Sequence, residues 1–447
     1  MPELSPSSVR LNFGPMHEPA VHELCSPRHI VLATLGSLGD LHPIIGLALG
    51  LQQRGHEVCV ASSEFYRPRI QSLGLRFAPL RPLASPADAQ LVRKVMHARS
   101  GPEFLFRTLL LPYLREMYDD LAAAIRGADL LIAGEVVLAA PLVAEAMVLP
   151  WASVVLAPLS FFSVHDPPVI PPLPFARQFA HAPPIVQRGL QRLLQLATRH
   201  WSAPIRELRA TLGLPARVQP LFRDRFSPYL NLALFDRVLG APQADWPDNT
   251  QQTGFIYYDS AEAPAPQHAL RSFLQAGPSP LVFTLGSTAV LLADDFFEQS
   301  VGAARRLGQR ALLIMGSNAI PAAPGNDVFA CDYAAYSEVF PQAACVIHQG
   351  GVGTTAQALR AGVPQLVVPY AFDQPDNAAR IVSMGVGLQL ARARYRSTPA
   401  ARQLRRLLSD KIHRNRAGAI GAQVTATDGR TRACLAIEEL IRAKRTA

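Results

Sequence analysis

Cysteine is scarce in this chain of 447 residues. Only Cys25, Cys59, Cys331, Cys345 and Cys434 occur, an odd and scattered set. It excludes a disulfide framework and offers no paired metal-ligand spacing. A reducing, cytoplasmic compartment is expected. Clean apolar runs are also missing. The longest candidate, residues 130–162, is broken by Glu135, Pro141, Glu145 and Pro150, whereas a membrane span needs roughly 20 uninterrupted apolar residues. A buried strand–helix–strand unit is the better reading. Residues 1–27 lack a basic-then-apolar leader pattern and are expected to form a flexible N-terminal extension.

Acids are in deficit, 34 Asp plus Glu against 43 Lys plus Arg, for a net charge of +9. Much of the excess lies in residues 390–416. Such a balance favours anionic partners, whether nucleotides or the inner face of a membrane; the plainer reading is a solvated helix face. No aromatics interleave with those arginines, so nucleic acid is not expected. The phosphate-loop Gly-Lys ending and the dinucleotide fingerprint are both absent, which makes ATP and NAD poor candidates.

What is present is a well-packed composition, 49% hydrophobic and 17% charged, and a repeated alternation. "HIVLATL", "EVCVAS", "LRFAPL", "DLLIA" and "WASVVLA" read as strands, with helical patterns between them at 43–54, 64–73, 102–126 and 139–147. A Pro-rich segment, a long helical stretch at 185–212 and a Pro/Ala-rich linker near 261–267 follow. The alternation then restarts with "PLVFTLG", "RALLIMG", "ACVIHQG" and "PQLVVP". The fold class is therefore α/β, two doubly wound Rossmann-like domains with a cleft between them. The expected division is 28–245 and 246–429, with a last helix over 430–447 packing back on the first domain.

Two stretches carry chemistry. "GSLGDLHP" joins the first strand to a helix expected to begin at Pro43, and it places Asp40 at the strand's carboxyl end. "HQGGVGTTAQALRAGVPQLVVPYAFDQPDNAAR" reads strand, glycine-rich turn, helix, strand, acidic turn, helix. Gly350, Gly351 and Gly353 allow a sharp bend and a close backbone approach. The helix starting near Thr354 aims free N–H groups and its positive end at that turn, an anion site suited to phosphate. Thr354, Thr355 and His348 add donors.

The second stretch resembles the donor-site signature of family 1 glycosyltransferases, the UDP-glycosyltransferase superfamily. "GSLGDLHP" resembles the N-terminal motif of its bacterial and sterol-glycosylating members. The nearest likeness is to bacterial enzymes glycosylating lipids, sterols, polyketides or rhamnolipid precursors. The resemblance is strong over residues 28–82 and 281–387 and generic elsewhere. It implies a GT-B fold that moves a hexose from a UDP- or dTDP-sugar to a hydroxyl of a hydrophobic acceptor, inverting the anomeric centre. It also implies roles. His348, Gly350, Gly351, Gly353, Thr354 and Thr355 would hold the diphosphate, met from the other side by Gly286, Ser287 and Thr288. Asp373 and Gln374 would bind donor sugar hydroxyls, though Asp373 also reads as a plain helix cap. Tyr333 or nearby backbone would hold the base, because the tryptophan of plant members is missing. Gly39, Phe104, Phe106, Phe161 and Phe162 would line the acceptor pocket, while single aromatics are more often core.

In this pattern Asp40 is the general base, with a pKa raised by a desolvated cleft; its bland alternative is tying down the turn. His42 is a neighbouring candidate. No metal or other cofactor is expected, since Asp119–Asp120 and Asp294–Asp295 are adjacent pairs that diverge on a helix. The rival readings are a nucleotide-sugar epimerase of similar architecture and a non-catalytic nucleotide-sugar-binding protein.

Overall fold

The computed structural model describes residues 26–170, 182–259, 267–320 and 325–445; nearly all of the N-terminal extension and most of the expected linker lie outside the described residues. The first domain is a seven-stranded parallel sheet. Its strands are β1 (His29–Ala33), β2 (Glu57–Ser62), β3 (Arg76–Pro79), β4 (Leu130–Gly134), β5 (Trp151–Val155), β6 (Leu230–Ala233) and β7 (Thr250–Gln252). They lie in the order β3-β2-β1-β4-β5-β6-β7. The second domain holds β8 (Leu281–Thr284), β9 (Ala311–Ile314), β10 (Val328–Cys331), β11 (Cys345–His348), β12 (Gln365–Val367) and β13 (Gly387–Gln389), ordered β10-β9-β8-β11-β12-β13. Helices cover both faces, so the central strands are apolar throughout rather than alternating: every residue of β4 up to Ala133, and all of β8 and β9, is buried.

The helices used below are α1 (Leu38–Gln53), α2 (Ala89–Val95), α3 (Pro184–Ala197), α4 (Val352–Arg360), α5 (Gln374–Ser383) and α6 (Gly429–Arg445). α1 starts five residues before Pro43, the start expected from the sequence. Ser37 and Asp40 form a capping box: Gly39 N–H donates to the Ser37 hydroxyl, and Ser37 N–H donates to the Asp40 carboxylate. Satisfying two of the helix's orphan N–H groups outweighs the single ladder bond that Pro43 forfeits inside the helix.

The two domains exchange elements. α6 returns to the first domain and packs on α1, with Cys434, Ile437 and Leu440 in one core with Ile30, Leu47 and Leu51. A Cβ on Gly50 would lie 3.0 Å from Cys434 Sγ, so glycine lets the two helices approach. Arg54 Nε and Nη2 donate to Glu438 at 2.6 and 2.8 Å, and His56 lies 3.3 Å from the same carboxylate. In the other direction, Val92 of α2 and the following Met96 join the core of the second domain. The first sheet also runs past the expected boundary at 245, because 250–252 pairs with β6. Among the described residues no helix is long and apolar enough to cross a membrane.

Candidate active site at two strand-order reversals

In each sheet the strand order reverses once, between β1 and β4 and between β8 and β11. Crevices at the carboxyl ends of strands beside such a reversal are where open α/β sheets bind ligands. Asp40 follows β1 and Glu135 follows β4. Gly286–Thr288 follow β8, and the glycine-rich turn follows β11. The short helix Gly286–Ala289 packs against α1, which brings the two crevices together.

The glycine turn is shaped from beneath. His348 is 0% exposed. Gly350 N–H donates to its Nδ1 at 3.0 Å, and its Nε2 lies 2.9 Å from Gln365 Oε1. The first bond makes Nδ1 an acceptor, so Nε2 carries the proton and donates to Gln365. Burial pulls the ring down to about 4, keeping it neutral. The expectation that His348 donates directly to a diphosphate oxygen does not match this geometry, since both ring nitrogens are spent on protein partners. Gly350 has φ +90, and a Cβ there would meet Val367 Cγ1 at 2.6 Å; only glycine fits.

Gln349, which the sequence reading passed over, explains two more glycines. A Cβ on Gly286 would come within 2.4 Å of its Nε2, and one on Gly351 within 2.8 Å. Its amide also reaches Thr354 Oγ1 at 3.5 Å. Gln349 therefore wedges between the β8 and β11 turns. Tyr336 was likewise missed. It stacks on Phe340 and shares a 2.8 Å hydrogen bond with Thr284 Oγ1 at the end of β8. The expected base holder, Tyr333, is half-buried nearby.

α4 begins at this turn with Gly351 as its cap. Its first i→i−4 bond runs from Thr355 N–H to Gly351 O at 2.9 Å. The N–H groups of Gly353 and Thr354 precede that ladder. Gly353 is exposed, with nothing within 4 Å of a Cβ placed on it, so the helix opens on free space. The side chains of Thr354 and Thr355 are buried: Thr354 Oγ1 lies between Gln349 and the Gly286 turn, and Thr355 Oγ1 has no partner among the described residues. Ser287 is exposed and Thr288 half-buried on the opposing turn.

Asp373 is the N-cap residue of α5, but its side chain caps none of that helix's N–H groups. Its Oδ2 accepts from Val352 N–H at 3.2 Å and from Asn377 Nδ2 at 2.7 Å, so it binds α5 to the start of α4. Burial raises its pKa to about 7, and the charge of Asp40 adds to the rise. The Asp40 carboxylate and the α4 N-terminus are thus neighbours although they belong to different domains. Gln374 Oε1 accepts from Tyr370 and Ala371 N–H, which leaves its amide nitrogen for other partners.

Asp40 has two distinguishable oxygens. Oδ2 accepts from Ser37 N–H at 2.8 Å and from Ser37 Oγ at 3.1 Å; Oδ1 has no partner among the described residues. Burial raises the carboxyl to about 6, opposed by the Ser37 bonds and helped by the charge of Glu135. A Cβ on Gly36 would sit 2.4 Å from Oδ2, so glycine is required beside the carboxylate. His42 is held differently. Burial lowers it to about 4, Arg69 Nη1 lies 3.4 Å from its Nε2, and its ring meets Tyr258 edge-on.

The expected acceptor aromatics are not brought together. Phe161 is core, stacked on Trp246 at 4.3 Å with Phe226 and Phe235 alongside. Phe162 turns away in a left-handed backbone conformation toward Phe222. Phe106 packs on Trp201. Phe104 lies beneath Lys94 and lines an open concavity of about 860 Å³ whose other walls, Arg93, His97, Glu103 and Arg107 among them, are polar. Gly39 alone of this set stands beside Asp40. The aspartate pairs are spent on arginines: Asp120 on Arg81, Asp119 on Arg115, Asp295 on Arg392 and Asp294 on Arg93.

Comparison with known proteins agrees with this geometry. The family model for a glycosyltransferase family 28 N-terminal domain matches residues 30–149, and that for an erythromycin biosynthesis protein CIII-like C-terminal domain matches 316–440. The chain is 32% identical to O-mycaminosyltylonolide 6-deoxyallosyltransferase of Streptomyces fradiae, over 94% of this chain and 99% of that one. It is 26% identical to sterol 3-beta-glucosyltransferase UGT80A2 of Arabidopsis thaliana, over 81% of this chain and 57% of the relative. Glycosyltransferase VinC, solved in complex with dTDP, superposes with a TM-score of 0.64 at 20% identity, covering 93% and 100% of the two chains. Two Rossmann-like domains meeting at such a crevice form the GT-B fold, and the relatives make the chain a glycosyltransferase. The chain belongs to the family 1 glycosyltransferases.

Proposed function

We propose that this protein is an inverting glycosyltransferase that moves a hexose from a UDP- or dTDP-sugar to a hydroxyl of a hydrophobic acceptor, without a metal. The observation that carries the reading is the free Oδ1 of Asp40 beside the open N-terminus of α4. The α4 N–H groups of Gly353 and Thr354 meet the diphosphate and offset the charge that grows on it as the glycosidic bond breaks. Asp40 Oδ1 takes the acceptor proton as the new bond forms. Its pKa of about 6 makes it a stronger base than a free aspartate while leaving it ionised at neutral pH. Asp373 and the amide nitrogen of Gln374 would bind the hydroxyls of the donor sugar. The dTDP of the VinC complex supports a nucleoside diphosphate donor, and the sterol and tylonolide of the relatives' names support an apolar acceptor.

The test is a mass-spectrometric screen of UDP- and dTDP-sugars against sterol, lipid and polyketide acceptors, run with and without EDTA. Transfer that survives chelation and yields the inverted anomer is expected. An altered nucleotide sugar without acceptor would indicate an epimerase, and donor binding without turnover in every combination would indicate a binding protein.

A further inference from the structure

α3 is built inside out. Gln187, Gln191 and Gln195, spaced four apart, face the protein. Gln187 is buried, Gln191 Nε2 donates to Phe162 O, and Gln195 Oε1 accepts from Gln219 at 3.0 Å. The apolar side chains face outward instead: Ile185 is 76% exposed, Leu193 64%, Leu196 65% and Val186 39%. At 100° per residue these four fall within one stripe about a quarter-turn wide, and the stripe runs about 16 Å along the helix. Exposed Arg188 and Arg192 border it. Neither arginine forms an ion pair among the described residues.

The sequence around the helix extends the pattern. From 167 to 206 there is no Asp and no Glu, while Arg177, Arg188, Arg192, Arg199 and Arg206 supply five positive charges. The basic helix at Ser397–Ser409 differs. It buries its apolar residues Ala400, Ala401, Leu404 and Leu407 and presents Arg402, Arg405 and Arg406, with Thr398 and Ser409, to solvent. An exposed apolar stripe bordered by arginines, in a region without acids, has the form of a helix lying in a lipid interface. Apolar side chains enter the acyl boundary while guanidinium groups stay among anionic headgroups.

We infer that the outward face of α3 docks on an anionic lipid bilayer, seating the first domain at a membrane surface. The test is co-sedimentation of the full chain with vesicles of phosphatidylcholine alone and of phosphatidylcholine mixed with phosphatidylglycerol. Binding is expected only to the anionic vesicles and should weaken as salt rises. The double variants Arg188→Glu/Arg192→Glu and Leu193→Asp/Leu196→Asp should each weaken partitioning by at least about tenfold. All four positions are exposed, so unchanged thermal melts are expected and show that the fold persists. Three results overturn the inference: no binding to anionic vesicles, binding that both variants retain, and a dimer that the leucine variant dissolves in a protein that ignores vesicles. Vesicle binding is read without turnover, so its failure leaves the transferase reading untouched.

Discussion

Asp40 divides its work between its two oxygens. Oδ2 closes the capping box with Ser37 and Oδ1 stays open, so the structural role leaves one oxygen for the proposed catalytic one. Asp40→Asn keeps an acceptor for Ser37 but cannot take a proton. It should bind nucleotide normally and lose about 10²–10⁴-fold in transfer rate. The parent's rate should fall as pH drops through about 6, where Asp40 protonates, and a titration calorimetry and rate series over pH checks both points. The same shift bears on stability. A folded pKa above the ordinary 3.8 means that folding favours the protonated form; its contribution is full below the ordinary value and lost as pH rises through about 6. Asp40→Asn should therefore melt no lower than the parent at pH 8. His42, neutral and engaged by Arg69, should tolerate Ala with most activity kept; an inactive His42→Ala beside an active Asp40→Asn would reassign the base.

His348 acts on the turn. His348→Ala would leave Gly350 N–H and Gln365 without partners, at a cost of about 1–3 kcal/mol for each buried group. A lower melting temperature and a raised donor KM are the expected outcome. A loss confined to kcat, with stability intact, would return His348 to direct contact with the diphosphate.

Among the elements, α6 shows how a terminal helix becomes part of a distant core. Its Glu438 side chain is 4% exposed and accepts from Arg54 and His56. Its pKa lies below the usual value: the Arg54 and His56 bonds outweigh the upward push of burial. Glu438→Ala removes the anion and leaves Arg54 and His56 without it, and should destabilise by about 3 kcal/mol. Rate per folded molecule should not change, because the pair lies on the α1 end remote from Asp40. Thermal melts combined with active-site titration separate the two effects. The stabilising contribution of Glu438 is present above the ordinary carboxylate pKa and is lost as pH falls through its depressed folded value.

At the scale of the whole molecule, one arginine crosses between domains. Arg380 on α5 donates to Asp376 at 2.8 Å, to Asp166 at 2.7 Å and to Leu239 O at 3.1 Å. Asp376 Oδ1 also accepts from Val169 N–H at 2.9 Å. The helix that carries Gln374 is thereby tied to the segment after β5 in the other domain. Arg380→Met would leave Asp376, 2% exposed, without its cation and should cost about 3–5 kcal/mol; Arg380→Lys should recover part of it. Small-angle scattering with and without UDP should show a more variable domain arrangement in the methionine variant and a shared closed form in the parent. Identical profiles in both proteins would sever the clamp from domain geometry.

The sequence alone determined the periodicities and the local chemistry. Continuous apolar runs separated by amphipathic segments admit little besides parallel sheets, and Ser37-x-x-Asp40 and the glycines after His348 are short-range signals whose partners lie within a few residues. What only the tertiary structure decided was everything that depends on distant neighbours. His348 turned inward because Gln365, on the adjacent strand, offered its Nε2 a partner. Gly286 answers to Gln349 from another strand end. Phe161 became core because Trp246 and Phe235 met it there. α2, from the first domain, joined the core of the second. Side-chain direction and cross-domain pairing are set by packing over long chain separations, which local composition does not encode.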